Sequence, residues 1–276
     1  MTTTDDHLPS NLAWELSQVV VPHFGSSRPI SIVDLDGTGP PIVFLHGLGC
    51  ASTMDYASVA TDPCLQRRRR ILIDLPGSGV NQGLNPPDFK HSLGEHTEIV
   101  AELIKALGLA RVILFGHSMG GAIALMLAAR RPDLVAGLCL TEPALDGGGG
   151  TTSTPIAKRD ESVFVRFGHA AVVRAAHSGG DPWWRTVERT DALAMHREAR
   201  SLVAGVEPSW RELLYRTVAP VIYLIGERTL PHVDAVELPR HGIELVIVAR
   251  AGHGMAWDNP SALAEAICSF LDRHEL

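Results

Sequence analysis

Residues 111–130 read RVILFGHSMGGAIALMLAAR, and this stretch decides the fold that the sequence predicts. Its beginning, VILF, is a continuous apolar run typical of a buried strand, and its end, AIALMLAAR, is typical of a helix. Between them lies Gly116-His117-Ser118-Met119-Gly120, a G-x-S-x-G pattern that is weak by itself because it is short. A serine held between a strand and a helix is, however, the setting of a strained nucleophile elbow. The dipole of the following helix favours negative charge there, so Ser118 is the predicted nucleophile.

Similar apolar runs recur along the rest of the chain and predict eight strands. They span residues 15–21, 29–35, 41–47, 70–77, 111–118, 136–143, 220–227 and 243–252. The first two, joined through the FGSSR stretch at 24–28, favour an antiparallel pair. The other six are near-continuous apolar runs, as in parallel strands that are covered on both faces. The sequence therefore predicts an α/β fold with a doubly wound, mostly parallel eight-stranded sheet.

Helical patterns separate most of these runs. Ser92 followed by Glu95 forms a capping box that opens a helix over 93–109. Further helices are predicted over 119–135 and 261–274, where apolar residues recur at helical spacing.

One long interval, residues 146–218, has no strand pattern. It begins with the glycine-rich GGGGTTSTP at 147–155 and continues with helical sequence, which favours a helical lid inserted between two strands. The predicted organisation is therefore a core in two parts, 1–145 and 219–276, with the lid between them.

Two further sequence features predict groups that would assist Ser118. His253 lies on a loop after the last predicted strand, and Gly252 and Gly254 would let that loop carry the ring inward, so His253 is the predicted base. The chain also turns after a strand in FLHGLGC, which would leave the Leu48 amide free to point at the elbow. Together with the Met119 amide it would form an oxyanion hole.

These motifs together resemble the α/β-hydrolase family. The resemblance rests on HGLG at 46–49, DLPGSG at 74–79, GHSMGG at 116–121 and the late Gly-His at 252–253, which occur in that family's order across nearly the whole chain. It implies serine nucleophilic chemistry. It does not imply a substrate, since the family includes esterases, lipases, thioesterases, lactonases, carbon–carbon bond hydrolases and a few hormone receptors. Serine at the elbow excludes the haloalkane dehalogenase and epoxide hydrolase branches, which use aspartate there.

The acid of the catalytic triad departs from the usual pattern of this family. The resemblance implies an aspartate three residues past Gly226, but that position is Thr229. Some relatives carry the acid at the end of the strand that follows the nucleophile helix, where this chain has Glu142. We therefore interpret Glu142 as the acid that orients the base, with Glu227 and Asp234 as the alternatives.

Aromatic residues suggest the substrate class. Trp183 and Trp184 lie in the predicted lid and Trp257 follows the histidine loop, so these three side chains are predicted to contact an apolar acyl or ring substrate. The favoured function is cleavage of an ester, thioester or lactone through an acyl-enzyme. A carbon–carbon bond hydrolase with the same triad and a non-catalytic small-molecule receptor remain open alternatives.

Composition limits the other classes of function. The 276 residues are 45% hydrophobic and carry a formal charge of −7, which argues against a nucleic-acid binder. One basic run, Arg67 to Arg70, is interpreted as a solvated strand entrance. No pattern such as HExxH indicates a metal, and no cofactor is expected. No heptad pattern indicates an oligomeric state.

The cellular location is also expected from the sequence. The four cysteines form no CxxC pair, the first residues lack the pattern of a signal peptide, and no apolar run approaches the length of a membrane helix. We expect a cytoplasmic protein without a membrane anchor.

Overall fold

The eight predicted strands form one sheet. The computed structural model describes residues 14–22, 28–86 and 88–276. Its strands are β1 (Leu16–Val19), β2 (Ile30–Leu35), β3 (Thr38–Leu45), β4 (Arg68–Ile73), β5 (Val112–His117), β6 (Val135–Thr141), β7 (Val221–Gly226) and β8 (Glu244–Val248). The predicted FGSSR connection lies almost entirely outside the described residues, as does most of the stretch on which the signal-peptide prediction rested.

The strand order determines which residues can meet. The order is β1-β2-β4-β3-β5-β6-β7-β8, with β1 and β2 antiparallel to their neighbours and the strands from β4 to β8 parallel. The prediction of a mostly parallel eight-stranded sheet that begins with an antiparallel pair is confirmed. Strand β5, which leads into Ser118, lies between β3 and β6 near the centre of the sheet.

Helices lie on both faces of the sheet. They are α1 (Ser52–Asp55), α2 (Ala57–Ala60), α3 (Leu93–Ala106), α4 (Met119–Arg130), α5 (Ser153–Ala157), α6 (Glu161–Val163), α7 (His169–Ser178), α8 (Trp184–Val187), α9 (Ala192–Ala204), α10 (Trp210–Arg216), α11 (Asp234–Arg240), α12 (Met255–Asp258) and α13 (Pro260–Arg273). Over the described part of the chain, no helix is both long enough and apolar enough to cross a membrane.

The beginnings and ends of the predicted helices follow local chemistry. The Ser92 hydroxyl accepts from the Glu95 amide and the Glu95 carboxylate accepts from the Ser92 amide, so the predicted capping box opens α3. Helix α4 ends at Arg130, earlier than the predicted 135. The reason is Pro132, which has no amide hydrogen and disfavours helical geometry at the residue before it.

The core has two layers, because successive side chains of a strand point to opposite faces. In β3, Val43 and Leu45 pack on the face that is covered by α3 and α4. Ile42 and Phe44 pack on the other face, with residues of α2 and α13. All four side chains are buried. Covering both faces explains why the strands are apolar throughout their length.

The predicted lid interval is helical. Helices α5 to α10 lie between β6 and β7, and Phe164 and Trp210 are fully buried within this segment while Phe167 is exposed. The interval contains no named strand between Thr141 and Val221. The division of the chain at 146 and 218 remains a prediction.

Part of the basic run is bonded within the fold, whereas Arg67 is exposed as the prediction of a solvated strand entrance requires. Arg69 donates to both carboxylate oxygens of Asp34, at 2.9 and 2.7 Å. Arg70 is buried and donates to the Asp36 carbonyl at 2.9 Å. Asp34 neutralises the charge of Arg69 because β2, which carries Asp34, pairs with β4.

Candidate active site

The predicted site residues lie at one edge of the sheet. Leu48 follows β3, Ser118 follows β5, Glu142 follows β6 and His253 follows β8. The carboxyl ends of parallel strands meet at the same edge, which is where α/β folds form their ligand sites. The strand order therefore brings residues that are far apart in sequence to the same edge of the sheet.

Ser118 has a strained backbone between β5 and α4. Its φ is 51° and its ψ is −112°, a conformation that costs a non-glycine residue free energy. The backbone around Ser118 is packed so closely that the positions two residues before and two residues after it accommodate only glycine. A Cβ on Gly120 would lie 2.2 Å from the Leu45 carbonyl oxygen, and one on Gly116 would lie 2.7 Å from the Gly120 oxygen. The glycines of the G-x-S-x-G pattern thus permit the sharp turn that exposes Ser118.

Glu142 is hydrogen-bonded to His253. Glu142 Oε2 lies 2.6 Å from His253 Nδ1, while Oε1 accepts from the Gly226 amide at 3.0 Å and lies 2.5 Å from the Thr229 hydroxyl. The Glu142 side chain is buried and the His253 ring is half exposed. Glu142 has a φ of 38°, so its backbone is strained in the same way as that of Ser118. A carboxylate with three such partners is fixed in position and orients the ring that it contacts.

The electrostatics of Glu142 favour its ionised form. Burial alone would raise the pKa of this carboxyl, but the hydrogen bonds from His253, Thr229 and the Gly226 amide outweigh burial and lower the pKa to about 2. The carboxylate is therefore charged at neutral pH.

The two alternative acids are bonded elsewhere. Glu227 Oε2 accepts from the Arg250 amide at 2.7 Å. Asp234 accepts from the Tyr223 hydroxyl at 3.0 Å and from Arg211 at 2.8 Å. Of the three candidate carboxylates, Glu142 alone contacts His253 within the described structure.

Ser118 and His253 line the same cavity. The residue before Ser118 contacts the histidine loop directly: His117 Nε2 lies 3.0 Å from the His253 carbonyl oxygen, and the two ring centroids are 4.6 Å apart. Burial lowers the pKa of His117 to about 3, so this ring is neutral and can donate to the carbonyl. No hydrogen bond joins the Ser118 hydroxyl to the His253 ring among the described residues. Such bonds are often long in an enzyme before substrate binds.

The two residues that carry the predicted oxyanion-hole amides lie next to the elbow, since Met119 follows Ser118 and Leu48 lies in the turn after β3. A Cβ on Gly47 would lie 3.4 Å from Ser118 Cβ, so the turn that carries Leu48 packs against the elbow. Across the described ranges, neither the Leu48 nor the Met119 amide donates a hydrogen bond to another residue. Both residues are buried. Two buried amides beside a serine are suited to bind a developing oxyanion.

Trp183 fixes the turn that carries Leu48. Its indole nitrogen donates to the Leu48 carbonyl at 3.1 Å, and a Cβ on Gly49 would lie 2.9 Å from the Trp183 ring. The helical segment thus contacts the predicted oxyanion hole, a link that motif analysis alone did not predict.

The cavity at this edge has a volume of about 770 Å³ and is lined by Trp183 and Trp257 as predicted. Trp184 does not line it. Its ring packs edge-on against His177 with centroids 4.7 Å apart, and the Arg185 guanidinium lies 5.4 Å from its centroid. The prediction of a substrate contact for Trp184 is therefore not supported. Trp183 immediately precedes α8 and Trp184 begins it, and consecutive side chains at the start of a helix point in different directions.

Sequence analysis missed two residues at this site. Asp55 lines the cavity and accepts from Trp257 Nε1 at 2.9 Å and from the Ala51 amide at 3.0 Å. Burial raises the pKa of its carboxyl to about 7. Thr229 was noted only for lacking a carboxylate, whereas its hydroxyl contacts Glu142. Neither residue belongs to a motif, so no local signal could have found them.

The Glu142–His253 contact predicts how strongly kcat depends on the charge of Glu142. Glu142→Gln keeps the side-chain volume but removes the charge that would stabilise an imidazolium, so kcat should fall by about 10²- to 10⁴-fold. Steady-state rates with a p-nitrophenyl ester, together with the Tm of each variant, would measure this effect. The exposed Glu227→Gln is the matched control and should retain most activity. Equal losses in both variants would contradict the assignment.

Comparison with known proteins relates this chain to a family of known fold. The sequence profile of the family described as alpha/beta hydrolase fold matches residues 40–222. An esterase of Mycobacterium tuberculosis is 27% identical over 274 residues, an alignment that covers 88% of this chain and 86% of the esterase.

Solved structures show the same fold. A thermophilic esterase from Thermogutta terrifontis, with malate bound, matches with a TM-score of 0.75 at 19% identity and covers 95% of this chain and 100% of that one. A mutant N-acyl homoserine lactonase in complex with N-hexanoyl homoserine matches with a TM-score of 0.74 at 21% identity, covering 94% and 97%. The profile match spans more than half of the sequence, and this chain therefore belongs to the alpha/beta hydrolase fold family.

Proposed function

We propose that this protein is a serine hydrolase that cleaves an ester, thioester or lactone of an apolar small molecule through an acyl-enzyme. Ser118 is the nucleophile, His253 the general base and Glu142 the acid that orients the base. The Leu48 and Met119 amides form the oxyanion hole, and Trp183 and Trp257 contact the substrate. The observation that carries this proposal is the 2.6 Å hydrogen bond between Glu142 and His253 in the cavity that contains Ser118.

The proposed reaction has two steps. The Ser118 oxygen attacks the substrate carbonyl carbon while His253 Nε2 accepts the hydroxyl proton, and the amides of Leu48 and Met119 hold the resulting oxyanion. When the bond to the leaving group breaks, His253 returns the proton to the departing oxygen or sulfur. Water then attacks the acyl-enzyme with His253 again acting as base, and His253 returns the proton to the Ser118 oxygen as the acid product leaves. Glu142 stabilises the imidazolium in both steps.

The cavity supports an apolar substrate of moderate size. Its volume of about 770 Å³ lies in the range usual for small-molecule sites, and Leu48, Phe115 and Met255 are among its lining residues. Arg211 is the one arginine or lysine in its described wall, and Arg211 is already bonded to Asp146 at 2.7 Å and Asp234 at 2.8 Å. A substrate carboxylate would therefore find no free arginine or lysine there.

A substrate panel tests the proposal. It should include p-nitrophenyl esters of several chain lengths, an acyl thioester, aliphatic lactones and a vinylogous diketone, with turnover followed over many cycles. We expect multiple turnover of at least one oxygen or sulfur ester and an acyl adduct on Ser118 in the intact protein mass. Turnover of the diketone alone would favour a carbon–carbon bond hydrolase. Binding without turnover of any compound would favour a receptor.

A cytoplasmic location forms part of the same proposal. Cys50, Cys64, Cys139 and Cys268 are all free thiols, which fits a reducing compartment. Fractionation of the source cells would test it, and recovery outside the cytoplasmic fraction would overturn it.

A further inference from the structure

A second cluster of reactive side chains lies away from the cavity. His91 precedes α3, His96 lies in its first turns and Glu198 lies in α9. One ligand atom from each residue lies within 4.8 Å of the others. None of the three residues lines the cavity that contains Ser118.

All three side chains are fully buried and poorly satisfied. His96 Nε2 and Glu198 Oε1 are 3.0 Å apart, but they are not aligned as a hydrogen bond. Within the described ranges, the imidazole nitrogens and both carboxylate oxygens lack a hydrogen bond of normal geometry, although the His91 ring also interacts with the Pro76 backbone. Buried polar atoms nearly always have well-formed hydrogen bonds, so a concentration of atoms without them needs a physical explanation.

An aromatic ring covers part of the cluster. The Phe89 ring packs edge-on against His91 with centroids 4.6 Å apart, and against His96 with centroids 5.3 Å apart. His91 has a φ of 51°, so strained backbone holds its ring in this position. The nearby Arg197 is bonded to Glu161 through Nε at 3.0 Å, and its charge is already paired.

We propose that His91, His96 and Glu198 bind one divalent first-row metal ion, with zinc the best match. Two imidazole nitrogens and one carboxylate oxygen are a common ligand set for zinc, and nitrogen ligands select against magnesium and calcium. Tetrahedral zinc at about 2.1 Å from each ligand separates the ligand atoms by about 3.4 Å. The His96–Glu198 distance of 3.0 Å is close to this value, and the ligand atom of His91 lies within 4.8 Å of the other two, so a shift of the His91 side chain would complete the ligand set. A water molecule would complete the coordination.

The bound ion would have a structural role. The site joins α3, beside the sheet, to α9 in the helical segment between β6 and β7, so the ion would fix one to the other. A ligand that binds the folded state alone raises the Tm. The inference is independent of the proposed hydrolase activity, since none of the three residues contacts Ser118, His253 or Glu142 through a hydrogen bond or ion pair in the described structure.

The experiment measures metal binding and Tm of the full-length protein. Protein stripped with a chelator is mixed with one equivalent of zinc, passed through a desalting column and analysed for metal. We expect about one zinc per chain and a Tm increase of about 5 °C. Cobalt in place of zinc should give the visible absorption of a tetrahedral nitrogen–oxygen site.

Variants locate the site. Glu198→Gln and His96→Gln should each weaken zinc binding by at least tenfold and remove the Tm increase. His253→Gln and His274→Gln alter two other histidine–glutamate pairs, with Glu142 and Glu244, and should retain the zinc. Loss of zinc in His253→Gln but not in Glu198→Gln would assign the ion to the active site instead. If the cluster variants do not fold, the wild-type protein decides: no retained zinc and no change in Tm overturn the proposal.

Discussion

Replacing Ser118 with alanine is expected to lower kcat by about 10⁴- to 10⁶-fold and to abolish covalent labelling by a fluorophosphonate probe. The probe reacts with a serine oxygen that a neighbouring base deprotonates, and alanine has no such oxygen. Residual turnover above the uncatalysed rate would come from the amides of Leu48 and Met119 and from substrate binding.

The Ser118→Ala result can be separated from misfolding. Alanine is small and meets the same backbone conformation as serine at a φ of 51°, so the Tm should change little. Ser153 also lines the cavity but lies in the helical segment, and Ser153→Ala should retain labelling. Mass spectrometry of labelled peptides would identify the modified residue. Undiminished labelling of Ser118→Ala, or labelling that depends on Ser153, would contradict the assignment.

Replacing His253 with glutamine is expected to cause a loss of similar size and to change the pH profile. An imidazole accepts the serine proton only when it is neutral, so kcat/KM of the wild type should fall as the pH falls. This acidic limb should disappear in His253→Gln. Measurements of kcat/KM across the pH range in which the protein stays folded would test the prediction.

Two other groups could affect the same limb. Burial by itself would raise the pKa of the Glu142 carboxyl, but the hydrogen bonds to this group outweigh burial and lower the pKa to about 2. The interaction of Glu142 with His253 is therefore lost only as the pH falls far below neutral. Asp55 is different, because burial raises the pKa of its carboxyl to about 7 and it lines the same cavity. Asp55→Asn is therefore the control and should keep the acidic limb. A limb that disappears with Asp55 and persists in His253→Gln would show that the base is misassigned.

Much of the fold could be predicted because its signals are local. A buried parallel strand is apolar along its whole length and a capping box is four residues long, so β5 and the beginning of α3 are recognisable from short windows. The error at the end of α4 is also local in origin, since the apolar pattern continued past Pro132 while the backbone could not.

The part of the candidate site that could be predicted consists of residues that lie just after a strand. Ser118 and His253 lie within motifs, and the sequence alone determined that both would reach the carboxyl edge of a parallel sheet. The sequence favoured Glu142 as the acid but did not exclude Glu227 and Asp234, because each of the three could follow a strand at that edge.

Only the tertiary structure shows which of the three carboxylates contacts His253. Glu142 and His253 are 111 residues apart in sequence, and they meet because β6 and β8 flank β7 in one sheet. The same order brings the Gly226 amide and Thr229 of the intervening strand and its turn to the Glu142 carboxylate. The position of Trp183 on the Leu48 carbonyl and the cluster of His91, His96 and Glu198 likewise depend on packing between α8 or α9 and the core. Local sequence determines which way a strand or helix faces, but the distance between two side chains depends on how whole elements pack, which no short window encodes.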